Sequence, residues 1–579
     1  MDSMDLDSSQ EYLDAMAPPT GMEYRKPAVL PNELFTHAGI FFEEKLYTTG
    51  LSLLLNTLAS GTYASNKAII PVPQHIALCV TFLVHPSTTT RARVAEEQNA
   101  SNLALRLLRL LATLVNPEDC RLGDAFKFAE RASRSGRLHE TNDHEGGRPT
   151  DKPLGLPMGT DDSLWSRAED FWHAVGWAFN CSVLYPERWE RWQIWLQYMC
   201  DIMQDDWTAR VEKCDKRKEA RNNETESNGQ ENTRDKKNKC EKEDLDIFCE
   251  SLIFQFIASG SLSGRNRRVL RAIFADGGVK SVNEFGQVFK NELKSSRTPE
   301  QAKKRDREVN IEMEEYGDYL AQDESDEELN GVNDSASNRD SSSKPRKSKR
   351  TRRGTRSAGK GTTSQPTNEE TSLPHSEVGL APMGGLGALK LRKQLLAILS
   401  NVSERLPYQF MQWYDLYDLF VENISQLSLP IFQAIVSPAI LPVLSAAAQT
   451  TLCEKLLFLL RESSARSSDE EFLTQSKLEE CFLPYAAASN TAVNHIKISI
   501  LLESVIMLLA SSELIVMRPS FKEAVVSGIN HRADRAQDEF RRNQASRDNE
   551  PLEWCWLVES GERLMYLVEI LSLNEPNSS

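Results

Sequence analysis

Apolar residues in this chain recur at steps of three and four, and no stretch of comparable length alternates polar with apolar. Leu103, Leu107, Leu110, Leu111 and Leu114 fall on one helix face, with Arg106 and Arg109 on the other. That is the 3.6-residue period of an amphipathic helix, not the two-residue period of a strand. The same spacing returns in Leu391, Leu395, Leu399, Val402 and Leu406, and in runs over 408–427, 452–460, 498–509 and 557–571. Ser281 is placed to cap a helix carrying Val282, Phe285, Val288, Phe289 and Leu293, and Gly277 with Gly278 to close the helix before it, which starts near Arg265. The pattern predicts an all-α protein. No fixed period is present, so a regular tetratricopeptide or ankyrin array is not expected. An irregular helical bundle and divergent α-solenoid-like domains both fit.

Polar stretches break the pattern and set the expected organisation. Between Arg307 and Arg339 there is no basic residue, while acids crowd the interval, among them Glu312, Glu314, Glu315, Asp318, Asp323, Glu324, Asp326, Glu327 and Glu328. The sign then reverses: Lys344, Arg346, Lys347, Lys349, Arg350, Arg352, Arg353, Arg356 and Lys360 follow with no acid among them. Ser, Thr, Gly and Asn surround both blocks. Such a stretch buries too little apolar surface to offset chain entropy, which predicts a long disordered charged linker over 298–385. A second polar run, 213–243, reads as a disordered insertion, and 134–162 as a loop. The sequence therefore divides into a disordered start at 1–27, a helical part at 28–133, a Trp-rich helical part at 163–297 expected to form one domain with it, and a C-terminal helical domain at 386–573.

Seven of the ten tryptophans lie between positions 165 and 207. Leu164, Ala168, Phe171, Trp172, Val175 and Phe179 make one helical face, with Gly176 permitting close contact. Pro186 sits well for the first turn of a second helix, on which Trp189, Trp192, Leu196, Met199 and Met203 fall in register. Two readings stand side by side. The aromatics form the core of an antiparallel hairpin, or some of Trp165, Trp172, Trp189, Trp192, Trp195 and Trp207 stay exposed as a protein-partner surface, where Trp is enriched. Stacking on nucleic-acid bases is disfavoured by the neighbouring acids Glu169, Asp170, Glu187, Glu190, Asp205 and Asp206.

The basic run Lys344, Arg346, Lys347, Lys349, Arg350, Arg352, Arg353 and Arg356 fits the acidic grooves of import receptors and predicts a nuclear protein. Ser325, followed by three acids, is a candidate phosphorylation site. Arg265, Arg267, Arg268 and Arg271 fall close together on one helix as a candidate contact for phosphate or an acidic partner. The net charge of −16 over 579 residues argues against a uniform nucleic-acid coat, yet leaves local basic contacts open.

No secretory or transit signature is expected at the acidic N-terminus. The most apolar stretch, 496–516, is broken by Lys497, Glu503 and Glu513 and reads as a buried core helix, so no membrane association is expected. Ten scattered cysteines without a C-x-x-C pair fit a reduced setting. No phosphate-binding loop, nucleophile elbow or zinc pattern is present, and no cofactor or metal is expected. The pattern as a whole fits a nuclear, non-enzymatic helical scaffold that binds protein partners in a chromatin-associated complex serving genome maintenance or transcription. Direct DNA or RNA binding through the basic segments, and a motif-poor all-α enzyme, are the alternatives.

Overall fold

The computed structural model describes residues 24–60, 67–129, 154–228, 234–259, 264–294, 379–542 and 550–574. The chain divides into two units, one made of 1–295 with 373–579 and the other of 296–372. The second unit, the acidic and basic blocks with it, lies outside the described residues, as do 1–23 and most of 134–162.

Among the described residues the protein is all-α. The exceptions are two three-residue strands, β1 (Pro27–Val29) and β2 (Ala68–Ile70), paired in parallel with Ala28 opposite Ile69, and a single antiparallel bridge between Arg461 and Ala487. Strands this short leave no periodicity to detect.

The first helices are α1 (Asn32–Glu43), α2 (Tyr47–Ala59), α3 (Pro73–Val84) and α4 (Ala95–Leu114). On α4, Leu107 and Leu111 are buried while Arg106 and Arg109 face solvent, as the stripe predicts. Short helices α5 (Leu122–Ala125) and α6 (Leu164–Arg167) lead to the hairpin of α7 (Phe171–Leu184) and α8 (Pro186–Asn228). Asp170 caps α7 by accepting the His173 N–H at 2.7 Å, and Pro186 opens α8 at its first position. Every residue from Phe171 to Cys181 is buried.

The polar run at 213–243 does not form the expected disordered insertion. Helix α8 continues through it to Asn228, and α9 (Arg234–Cys249) returns alongside. Arg217 pairs with Glu243 at 2.9 Å and Arg221 with Asp244 at 2.9 Å. Polar composition alone cannot distinguish a solvated coil from two helices laced by ion pairs.

After α10 (Leu252–Ala258), α11 (Arg265–Ile273) and α12 (Val279–Glu284) pack on α7. The longer helix expected after Ser281 is cut short. Ser281 is no cap; its hydroxyl donates at 2.7 Å to Oδ1 of buried Asn180, which also accepts the Gly277 N–H and donates through Nδ2 to the Phe285 carbonyl. Phe285, Val288 and Phe289 are buried from an irregular segment instead.

Past residue 378, Gly384 and Gly385 both hold positive φ and start α13 (Gly385–Arg405). A Cβ on Gly384 would lie 2.1 Å from Ser182 Oγ, so the linker end is seated directly on α7. Helix α13 packs on α7 and α8, and its Arg392 is fully buried there. Its Nη1 donates to the Ile273 carbonyl, and its guanidinium carbon lies 3.9 Å from the centre of the Phe179 ring. The helices α14 (Trp413–Ile424), α15 (Leu429–Val436), α16 (Ala446–Leu460), α17 (Gln475–Cys481), α18 (Ala492–Ser511), α19 (Pro519–Arg542) and α20 (Glu550–Asn574) follow. One hydrophobic core runs through both chain segments. Contacts join helices far apart in sequence, unlike the neighbour-only stacking of a solenoid.

The long apolar helix α18 is a core element, as read from its interrupting charges. It is packed by α15, α16, α19 and α20. Lys497 donates to the Ser425 carbonyl at 2.7 Å, and Glu503 pairs with Arg563 at 2.9 Å.

Gly176 sets the approach of Phe285 to the hairpin, since an added Cβ would meet that ring at 2.3 Å. Gly176→Ala is expected to destabilise by about 1–3 kcal/mol in urea unfolding, the usual cost of overpacking. Gly39→Ala, with open space around the site, is expected to be neutral or to stabilise by about 0.5–1 kcal/mol.

Candidate functional site

The tryptophan cluster is core. Trp192 and Trp195 are fully buried and meet edge to face at 5.2 Å; Trp165, Trp172, Trp189 and Trp207 are each less than a tenth exposed. The expectation of an indole surface open to a partner is therefore corrected: these side chains already have partners inside the protein. Trp165 Nε1 donates to the Ala77 carbonyl and Trp172 Nε1 to the Phe256 carbonyl, both at 3.0 Å. Trp192 Nε1 donates at 2.7 Å to Glu292 Oε1, the same oxygen that accepts Nε (2.9 Å) and Nη2 (2.5 Å) of buried Arg188. Arg188 also donates to the Val84 carbonyl and the Thr89 hydroxyl. A buried ion pair is tolerable only when its remaining donors are satisfied in this way.

The arginines of α11 divide. Arg268 pairs with Asp170 and Glu169 and lies 5.7 Å from the Phe285 ring centre. Arg271 makes a two-pronged contact with Glu284, both bonds 2.8 Å, which raises its pKa further. Arg265 is half-buried and Arg267 exposed. Two of the four cations thus serve internal pairs, and the cluster offers an outside anion less than its sequence suggested. The basic run from Lys344 to Arg356 and Ser325 lie outside the described residues.

The structure exposes aromatics elsewhere. Tyr408 stands 87% exposed in the turn before α14, and Trp413 and Tyr414 at the start of that helix are about half exposed. Their rings contact one another at 5.6 Å, and Trp413 also meets the buried Tyr417 edge to face. Lys455 of α16 fixes the arrangement: its ammonium lies 3.1 Å from the Tyr414 ring centre and donates to Asp418 Oδ1 at 2.6 Å and to the Tyr414 carbonyl at 3.2 Å. Asp415 and Asp418 are exposed beside the rings. This makes a rigid aromatic corner flanked by negative charge. The run at 408–427 reads as a helical stripe, but Trp413 and Tyr414 are neighbours some 100° apart on a helix. Tyr414 falls off the face of Leu416, Tyr417 and Phe420, which signals its exposure; Trp413 falls on that face by spacing, and its half exposure in the first turn is not marked in the sequence.

Among the described residues, no three His, Cys, Asp or Glu side chains come together as a metal site. The described cysteines are unpaired, and burial pushes the Cys79 thiol up to about 12 and Cys453 to about 11, so both pack as inert apolar groups. His173 is buried, with its Nδ1 accepting the Glu169 N–H at 3.2 Å. No protein-family model matches this sequence, and no curated protein does.

Burial lowers the pKa of His75, His85 and His495 to about 4. Nδ1 of His85 accepts the Ser87 N–H and Nδ1 of His495 accepts the Ala487 N–H, so both rings are held neutral. A histidine near 6.5 when unfolded and near 4 when folded takes up its proton first in the unfolded chain. Its stabilisation is present above pH 6.5 and is lost as pH falls toward 4. Each should cost up to about 2 kcal/mol between pH 7 and pH 5. Urea titrations across that range should show the loss, and His75→Leu should flatten the slope.

Proposed function

We propose that this protein is a nuclear, non-enzymatic helical scaffold whose contacts with partner proteins centre on the aromatic pair of Trp413 and Tyr414. The exposed, Lys455-braced pair of rings carries this reading. Tyr and Trp supply large contact area with few rotatable bonds and dominate binding hot spots. Rings already held in place lose little further freedom on docking. Asp418 is paired with Lys455, and the exposed carboxylate of Asp415 favours a partner that sets a Lys or Arg beside an apolar pocket. The basic run at 344–356 supports entry to the nucleus through an import receptor, and a chromatin-associated complex is the setting proposed for it there. Direct nucleic-acid binding is the weaker reading, since Arg268 and Arg271 are already paired inside the protein.

Affinity purification with mass spectrometry tests the scaffold. Trp413→Ala with Tyr414→Ala should remove most recovered partners while leaving the protein folded at a cost of about 1–2 kcal/mol in thermal unfolding, because both rings are only half buried. Full recovery with the double variant would sink the assignment of this corner. A fluorescent fusion with Gln at Lys347, Lys349, Arg350, Arg352 and Arg353 should shift to the cytoplasm; an unchanged nuclear signal would refute import through that run.

A further inference from the structure

A cavity of about 440 Å³ opens between α19 and α20, over the middle of α18. Its floor is apolar: Leu557 and Gly561 of α20 are buried there, and Gly561 brings no side chain. Ile529 and Ala533 of α19, both half-buried, form one wall. The opposite edge is a row on α20 at helical spacing, Trp554, Val558, Glu562, Tyr566 and then Glu569, every one exposed. From Trp554 to Glu569 a helix rises about 22 Å, about four turns. The lining is thus an open, elongated groove. Exposed apolar side chains gathered beside polar ones mark interaction sites.

The groove shows negative charge to solvent. Arg532 is the one cation among the described residues that line it, and it is only 1% exposed, with Nη1 donating to the Leu483 and Tyr485 carbonyls at 3.2 and 3.3 Å. Arg563, the nearest cation along α20, is already held by Glu503 at 2.9 Å and Glu559 at 2.7 Å. Glu562 and Glu569 are exposed and have no ion-pair partner among the described residues. They are two turns apart, about 10 Å along the helix.

We infer that the groove between α19 and α20 docks an amphipathic helix of a partner protein, its apolar stripe on Ile529, Val558, Met565 and Tyr566 and Lys or Arg of its flank on Glu562 and Glu569. An apolar groove of this length receives side chains at three- and four-residue spacing, which is what such a helix presents. Two carboxylates two turns apart select a helix with cations at the same interval. A second copy of this chain is a poor occupant, because a two-fold interface sets the same patch against itself and brings like charges together. The groove is a separate surface and does not depend on the aromatic pair of α14.

Fluorescence anisotropy of the full chain tests the groove, with the fluorescein-labelled peptide LKKLLKLLKKLLKL as the probe. As a helix it carries a leucine stripe flanked by lysines. It should bind saturably, and a shuffled peptide of the same composition without helical spacing should bind at least about 10-fold more weakly. Glu562→Gln with Glu569→Gln should weaken the helical peptide about 3- to 30-fold. Val558→Arg, which sets a cation in the groove, should weaken it at least about 30-fold. All three positions are exposed, so circular dichroism should show unchanged helix content. Trp413→Ala with Tyr414→Ala should leave the peptide bound. Equal binding of the two peptides would mean attraction to the acidic chain at large, and binding indifferent to Val558→Arg would place the peptide elsewhere; either overturns the assignment. Loss of binding in the Trp413, Tyr414 variant would overturn it too, by moving the peptide to α14. So would a concentration-dependent dimer in sedimentation that Val558→Arg dissolves, since a second copy would then be the occupant.

Discussion

The seat of α13 on the tryptophan-rich hairpin is the contact on which the rest of the described unit depends. Arg392 carries its guanidinium into that interface, and no carboxylate pairs with it directly among the described residues. It is held by the Ile273 and Met383 carbonyls and by the face of Phe179. Burial lowers its pKa to about 9, partly offset by the carboxylate of Asp276. The three acceptors come from the helices before the charged blocks and from the turn after them. Arginine at this position therefore ties chain segments that sequence places more than a hundred residues apart. Arg188 and Glu292 do the same for α3, α8 and the segment after α12. Arg188 has an acceptor for each of its nitrogens, whereas Arg392 has acceptors for Nη1 and Nη2 and leaves Nε without one, so the ring face of Phe179 carries part of its charge.

This core has a consequence for function. The indoles that look most available in sequence are consumed by packing, and burying seven of them leaves a smooth hairpin with no aromatic face to offer. In the proposed function, recognition falls to aromatics that lie outside the core. On α14, Leu416, Tyr417 and Phe420 take the buried face, and Trp413 and Tyr414 are left outside, where Lys455 pins them. The proposed scaffold role calls for exposed contact groups on a stable body, and the division between buried and exposed aromatics is consistent with both.

Much of the fold is legible in the residues. The leucine stripe of α4, the proline start of α8, the tight packing at Gly176 and the glycine entry to α13 all follow from local rules of periodicity, capping and steric room. What is not legible depends on distant partners. The lengths of α8 and α9 come from cross-helix pairs such as Arg217 with Glu243, which composition cannot reveal. Ser281 fails as a cap because Asn180, a hundred residues earlier, claims its hydroxyl. The arginines of α11 look like an anion site until Asp170, Glu169 and Glu284 are placed beside them. Buried Arg392, Arg532 and Lys393 resemble surface cations in sequence, since nothing local marks their burial. The candidate site was missed for a related reason: exposure is what remains after the core is assigned, and the core includes residues from both ends of the chain.

The central claim is that the helices on either side of the charged blocks form one body through the seat of α13. Co-expression of 24–294 and 379–574 as two separate chains, followed by size-exclusion chromatography, tests it most directly. A one-to-one complex is expected, and Arg392→Glu should split it apart. Two folded chains that elute separately, each indifferent to the other, would contradict it.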